Sequence, residues 1–161
     1  MRKNKLYNQG TSMIEVVVGT ALLFIATSGL LTAYSVFVRA GMNTLASVQA
    51  SYLLEEGIEV MGTLRDAGWS TNIASLSNDT PYYLDWNSSL WTTTTTPSKI
   101  DSQFTRFVVL GAVKRDANDN ISGSGTVDAG TKKVTVTVSW QSGATTTSRS
   151  LSTYMSDLFS N

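Results

Sequence analysis

Gly10-Thr11-Ser12-Met13-Ile14-Glu15-Val16-Val17-Val18-Gly19 opens the stretch that decides the fold, because from Val16 to Val38 no side chain is charged. Roughly 20 apolar residues rising about 1.5 Å each cross a bilayer core of about 30 Å, so the run predicts a membrane-length helix. Arg2, Lys3 and Lys5 precede it and Arg39 closes it. Positive charge concentrated in a short leading segment marks the cytoplasmic side, which puts the expected remainder of the protein outside the cytoplasm.

Glu15 is the residue that a plain anchor does not need. A carboxylate in an apolar helix costs roughly 2.5–3.5 kcal/mol at the bilayer centre and less towards the end. One reading leaves it as an interfacial residue, where the N-terminal pole of the helix dipole favours an anion. The other gives it a partner.

Residues Gly10 to Gly19 resemble the class III signal of type IV prepilins and pseudopilins, in which a glycine is followed by a new N-terminal residue and by a glutamate at the fifth mature position. Thr11 stands where that family usually has an aromatic residue. The resemblance implies cleavage between Gly10 and Thr11 by a prepilin peptidase, N-methylation of the Thr11 amine, and a pilin-like fold. In apolar surroundings the new ammonium group and the Glu15 carboxylate each need a partner. Two subunits can supply each other's, which fixes the axial register of one helix against the next. Small residues in the same run, including Gly19, Thr20, Ala21, Ala26, Ser28 and Gly29, permit close helix approach.

Two other readings of this stretch stay open. An ordinary secretory signal would use Val38-Arg39-Ala40 as its cleavage site, although signal cores are typically about 7–15 residues and this run is longer. An uncleaved anchor is the third.

Helical pattern continues beyond the run. Thr44 to Arg65 contains no proline, and Leu54, Ile58, Met61 and Leu64 form one apolar stripe, with Glu55, Glu56 and Glu59 on other faces. A helix unbroken from Thr11 to about Arg65 would be about 80 Å long, with Gly41, Gly57 and Gly62 as candidate bends and Asp66-Ala67-Gly68 as its stop. Leu54-Glu55-Glu56-Gly57-Ile58-Glu59 followed by Leu64-Arg65-Asp66-Ala67-Gly68-Trp69 resembles the helix end of minor pilins of the type IV pilus modification protein kind. Many major pilins carry a proline within the membrane segment and this run has none, which favours a minor subunit.

The predicted organisation is a cytoplasmic basic leader at 1–10, a transmembrane and assembly half-helix at 11–40, and an extracytoplasmic head at 41–161. Within the head, a helix at 41–66 leads to an irregular aromatic region at 70–102 and a β-sheet at 103–158. Asn, Ser and Thr dominate Ser70 to Ser102, where Pro81 and Pro97 bracket the threonines Thr92 to Thr96. Tyr82, Tyr83, Trp86 and Trp91 there either tether a loop to the sheet or stack on a sugar, peptide or base. Val134, Val136, Val138 and Trp140 alternate with polar residues as a half-buried strand does. Phe104 to Arg115, apolar on both sides over Phe107 to Val113, predicts a central strand, and Ser148 to Tyr154 a third, joined through a Ser-Gly turn. Three or four antiparallel strands packed on the stripe Leu54 to Leu64 make an α+β, type IV pilin-like fold.

Twelve basic and twelve acidic residues cancel, so no net field recruits nucleic acid. Lys114, Arg115, Lys132 and Lys133 read as solubility rather than phosphate contacts. With neither histidine nor cysteine, the chain lacks the usual general base, the commonest metal ligand and thiol chemistry. No enzyme activity and no cofactor are expected. Asp116, Asn118 and Asn120 alternate as at the start of an EF-hand loop, with Asp119 and Asp128 nearby, but Ile121 and Val127 replace the glycine and bidentate glutamate that the loop requires. A polar turn is the default, with calcium the alternative.

The expected function is that of a structural subunit of a type IV pilus or secretion-type filament, inserted in the cytoplasmic membrane before it joins a surface or periplasmic filament. Its expected partners are the prepilin peptidase, other pilin subunits and membrane lipid. The rival is a signal-anchored or secreted binding module whose aromatic-rich loop is the working part.

Overall fold

The computed structural model of the protein describes residues 9–158, with side chains from residue 13. Residues 1–8 of the basic leader and the side chains of Thr11 and Ser12 lie outside the described residues. The chain divides into two compact units, Met1–Thr44 and Leu45–Asn161.

One helix, α1, spans Gln9–Ala67 and continues through Gly41, Gly57 and Gly62 without interruption. Gly68, with φ +152°, ends it in a conformation that side chains other than glycine's rarely adopt. The Asn72 amide then donates to the Leu64 carbonyl at 3.1 Å, satisfying one of the acceptors that a helix C-terminus leaves open.

In the second unit, the α1 residues Ala46, Ala50, Leu54, Val60, Met61 and Leu64 are buried against an antiparallel sheet. The fold class is α+β, as the residue patterns predict. The sheet has six strands: β1 Pro81–Trp86, β2 Trp91–Thr94, β3 Phe104–Arg115, β4 Ile121–Ser122, β5 Thr126–Ser142 and β6 Thr145–Ser156. Their order is β2-β1-β3-β5-β6, with β4 paired to β3, so β3 is central as its apolar faces predict. Phe104, Val108 and Leu110 from β3 join Val134, Val136, Val138 and Trp140 from β5 in one core.

Two expectations are corrected. The region 70–102 is not irregular throughout: it contains a π-helical turn at Ser70–Ala74 and the hairpin β1–β2. Threonine is β-branched and fits a pleated edge, so Thr92, Thr93 and Thr94 pair with Asp85, Leu84 and Tyr83 although they lack an apolar period. The sheet is accordingly larger than the three or four strands expected. β5 also begins earlier than Val134, because after a register shift at Ala112/Val113 it regains pairing from Asp128 to Thr126.

Candidate functional site

The first unit presents apolar side chains on every side. From Met13 to Val38 the large hydrophobic residues are 37–77% exposed, and none is buried. A helix apolar all round belongs in a protein core or in lipid, and this stretch is long and apolar enough to cross a membrane. Val16 to Val38 spans about 35 Å at 1.5 Å per residue.

Its polar groups are arranged to suit that environment. Thr27 donates to the Leu23 carbonyl at 2.6 Å, Ser28 to Phe24 at 2.7 Å and Thr32 to Ser28 at 2.9 Å. Thr20 and Ser35 do the same one residue closer, at 3.0 and 2.9 Å. Each of these hydroxyls is satisfied by its own helix, which removes the cost of carrying a free donor into hydrocarbon. Glu15 is the one charged residue of the stretch and is exposed.

A Cβ added at Gly19 or Gly29 would meet nothing within 4 Å, so both glycines leave open space for another helix. The structure also points to a stripe that residue type alone did not single out. Gly19, Ala26, Ala33 and Ala40 recur every seven residues on α1, which keeps four small side chains close to one face. Gly29 lies beside it, about 60° around the helix from Ala26 and about 40° from Ala33.

In the second unit, most of the expected aromatic cluster serves the fold. Tyr82 and Trp91 pack against the core, and the Tyr82 hydroxyl accepts the Ser77 N–H at 3.0 Å. Tyr83 meets Phe107 at 6.3 Å between ring centroids, and Trp86 meets Trp91 edge-on at 5.3 Å. Trp86 itself is 53% exposed.

The calcium candidates are used otherwise. Asp116 Oδ1 accepts the N–H groups of Asn118 at 2.8 Å and Asn120 at 3.0 Å, which hold its carboxyl below the usual carboxylate range, Asn120 contributing most. Asp128 pairs with Arg115 Nε at 2.7 Å and is likewise held low, chiefly by that bond and then by Thr131. Arg115 also donates to the Asp119 carbonyl at 2.8 Å. The loop thus contains its own cation, and among the described residues no three His, Cys, Asp or Glu groups stand close enough to hold a metal. Lys132 donates to Asn78 at 2.8 Å.

One buried charge was not anticipated. Arg106 occupies an inward position of β3 with its side chain 3% exposed, and pairs with Glu56 at 2.7 Å. It also donates to the Leu53 carbonyl at 3.2 Å. Inward positions of β3 alternate from Phe104 to Leu110, so strand parity alone placed Arg106 inside.

Comparison with family models, with curated proteins and with solved structures found no match. The long apolar helix followed by an antiparallel sheet is compatible with a pilin-like architecture.

Proposed function

We propose that the protein is a structural, non-catalytic subunit of a type IV pilus or secretion-type filament, of the minor pilin or pseudopilin kind. A prepilin peptidase would cut it after Gly10, the Thr11 amine would be methylated, and Glu15 would pair with the amine of a neighbouring subunit. Before assembly the helix would sit in the cytoplasmic membrane with the leader inside, and afterwards in a periplasmic or surface filament.

The observation that carries this reading is the unburied first half of α1. Its apolar side chains have no cover within their own unit, its described serine and threonine hydroxyls are satisfied internally, and its lone carboxylate stands at the start of the run. Lipid suits the first two features, and an oppositely charged partner at the same depth would give the carboxylate a role that an interfacial position alone does not. The small-residue stripe Gly19, Ala26, Ala33 and Ala40 supports close packing of such helices, which in lipid is driven by van der Waals contact rather than by the hydrophobic effect.

The test is co-expression with a prepilin peptidase, using the wild type, Gly10→Val and Glu15→Ala, followed by mass spectrometry of the mature N-terminus. A peptide that begins at Thr11, one methyl group heavier and absent from Gly10→Val, is expected. Glu15→Ala should insert normally yet fail to enter filaments. An intact leader, or an N-terminus near Gly41, would overturn the reading.

A further inference from the structure

The second unit holds a cleft that the helix chemistry does not use. It lies between the C-terminal turns of α1 and the edge strand β2, measures about 220 Å³, and draws its aromatic and polar lining from Thr63, Thr71, Asn72, Trp91, Thr92 and Thr93. No charged side chain lines it. Anionic ligands such as nucleotides or phosphorylated groups need a cation to replace their water, and the cleft offers none.

What it offers instead is one indole, the apolar side chains of Leu64, Ala67 and Leu90, and a set of neutral hydrogen-bonding groups. Trp91 is held from two directions: the Arg106 guanidinium stands 5.7 Å from its ring centroid and the Trp86 ring meets it edge-on. Arg106 is in turn fixed by Glu56 and by the Leu53 carbonyl, so the indole is set in place before any ligand arrives. The Asn72 amide nitrogen is used by the Leu64 carbonyl, which fixes the side chain and leaves its oxygen as an acceptor. The hydroxyls of Thr71 and Thr93 make no hydrogen bond within the described residues and can both donate and accept.

An indole beside uncharged hydroxyl and amide groups suits a pyranose, which has apolar C–H faces and a rim of hydroxyls. The volume is below the roughly 300–1,000 Å³ of sites for drug-sized ligands, and suits a single ring. We propose that this cleft binds a neutral saccharide, with one sugar ring seated against Trp91 and hydrogen-bonded by Thr71, Thr93 and Asn72. The inference does not depend on the filament reading, since it uses none of the residues that processing or assembly would need.

The experiment uses the full chain in a zwitterionic detergent that carries no sugar. Glucose, galactose, N-acetylglucosamine and N-acetylgalactosamine are titrated, with glucuronate as the charged control, and binding is followed by saturation-transfer NMR and tryptophan fluorescence. All four tryptophans lie in the second unit, so the fluorescence reports on it alone. At least one neutral sugar should bind saturably at millimolar concentration and more tightly than glucuronate. Thr71→Val and Thr93→Val keep side-chain shape and should each weaken binding about fivefold, as the loss of one hydrogen bond worth about 1 kcal/mol requires. Trp91→Phe should retain weaker binding, which guards against a Trp91→Ala variant that fails to fold. Overturning outcomes are no response to any of the four neutral sugars, a response unchanged in both valine variants, or tighter binding of glucuronate.

Discussion

The two halves of α1 differ in composition and meet opposite fates. Between Met13 and Val38 no apolar side chain is buried, whereas between Ala46 and Leu64 six residues on one stripe lie in the core. The difference is in both content and arrangement. The first half is apolar all round, so no single protein surface could cover it; the second has charge or hydroxyls at Glu55, Glu59 and Thr63 and an apolar stripe that matches a sheet. One continuous helix is thus a membrane-compatible rod where it is apolar and uncharged, and a half-buried packing helix where polar residues leave only a stripe.

The largest expected effect comes from exchanging the two halves' tolerance of charge. Phe24→Arg places a cation near the middle of the apolar run, at roughly 2.5–3.5 kcal/mol, which is about 70- to 400-fold in membrane partition. Tryptophan fluorescence should not change. Leu54→Arg should do the reverse, leaving the carbonate-resistant membrane fraction intact while the second unit loses its folded fluorescence. If Phe24→Arg remained fully membrane-bound, the helix would not be the anchor.

Much of this contrast is legible in the residues themselves. The apolar run, the stop at Gly68, the central place of β3 and the alternation Val134 to Trp140 all follow from periodicity. The hairpin β1–β2 was hidden because Trp91 to Thr94 alternates only weakly, and edge pairing of threonines depends on a neighbouring strand. A polar turn at Asp116 is the default reading, but carboxylate spacing does not reveal that Arg115 pairs with Asp128. Both details depend on which segments pair across a hairpin, which is information that a local pattern lacks.

Arg106 sharpens the comparison from the buried side. Glu15 has no ion pair among the described residues, whereas Arg106 has Glu56 within hydrogen-bonding distance. The Glu56 side chain is 44% exposed, so solvent screens the pair and the net interaction is modest. Its removal nevertheless leaves a buried guanidinium with the Leu53 carbonyl and the Trp91 ring for company. Glu56→Ala should destabilise the second unit by about 1–3 kcal/mol, read as a lower midpoint of thermal unfolding. Arg106→Met, which removes the charge and keeps the bulk, should cost less, and the double variant should resemble Arg106→Met alone. Additive losses would show that the two side chains act independently.

The smallest effect separates two glycines of one helix by sign. A Cβ on Gly57 would come within 2.7 Å of a Val136 methyl and 3.3 Å of Arg106 Cδ, so this glycine lets α1 approach the sheet. At Gly62 the same atom meets nothing within 4 Å. Alanine improves helix propensity by about 1 kcal/mol at either position. At Gly62 that gain stands alone, and Gly62→Ala should raise the unfolding midpoint by several degrees. At Gly57 overpacking costs about 1–3 kcal/mol, which outweighs the gain, so Gly57→Ala should lower the midpoint by a similar amount. Thermal melts of the two variants, followed by the tryptophans of the second unit, should move in opposite directions. A rise in both would mean that the sheet gives way around Val136 at little cost, and that Gly57 does not set the distance between helix and sheet.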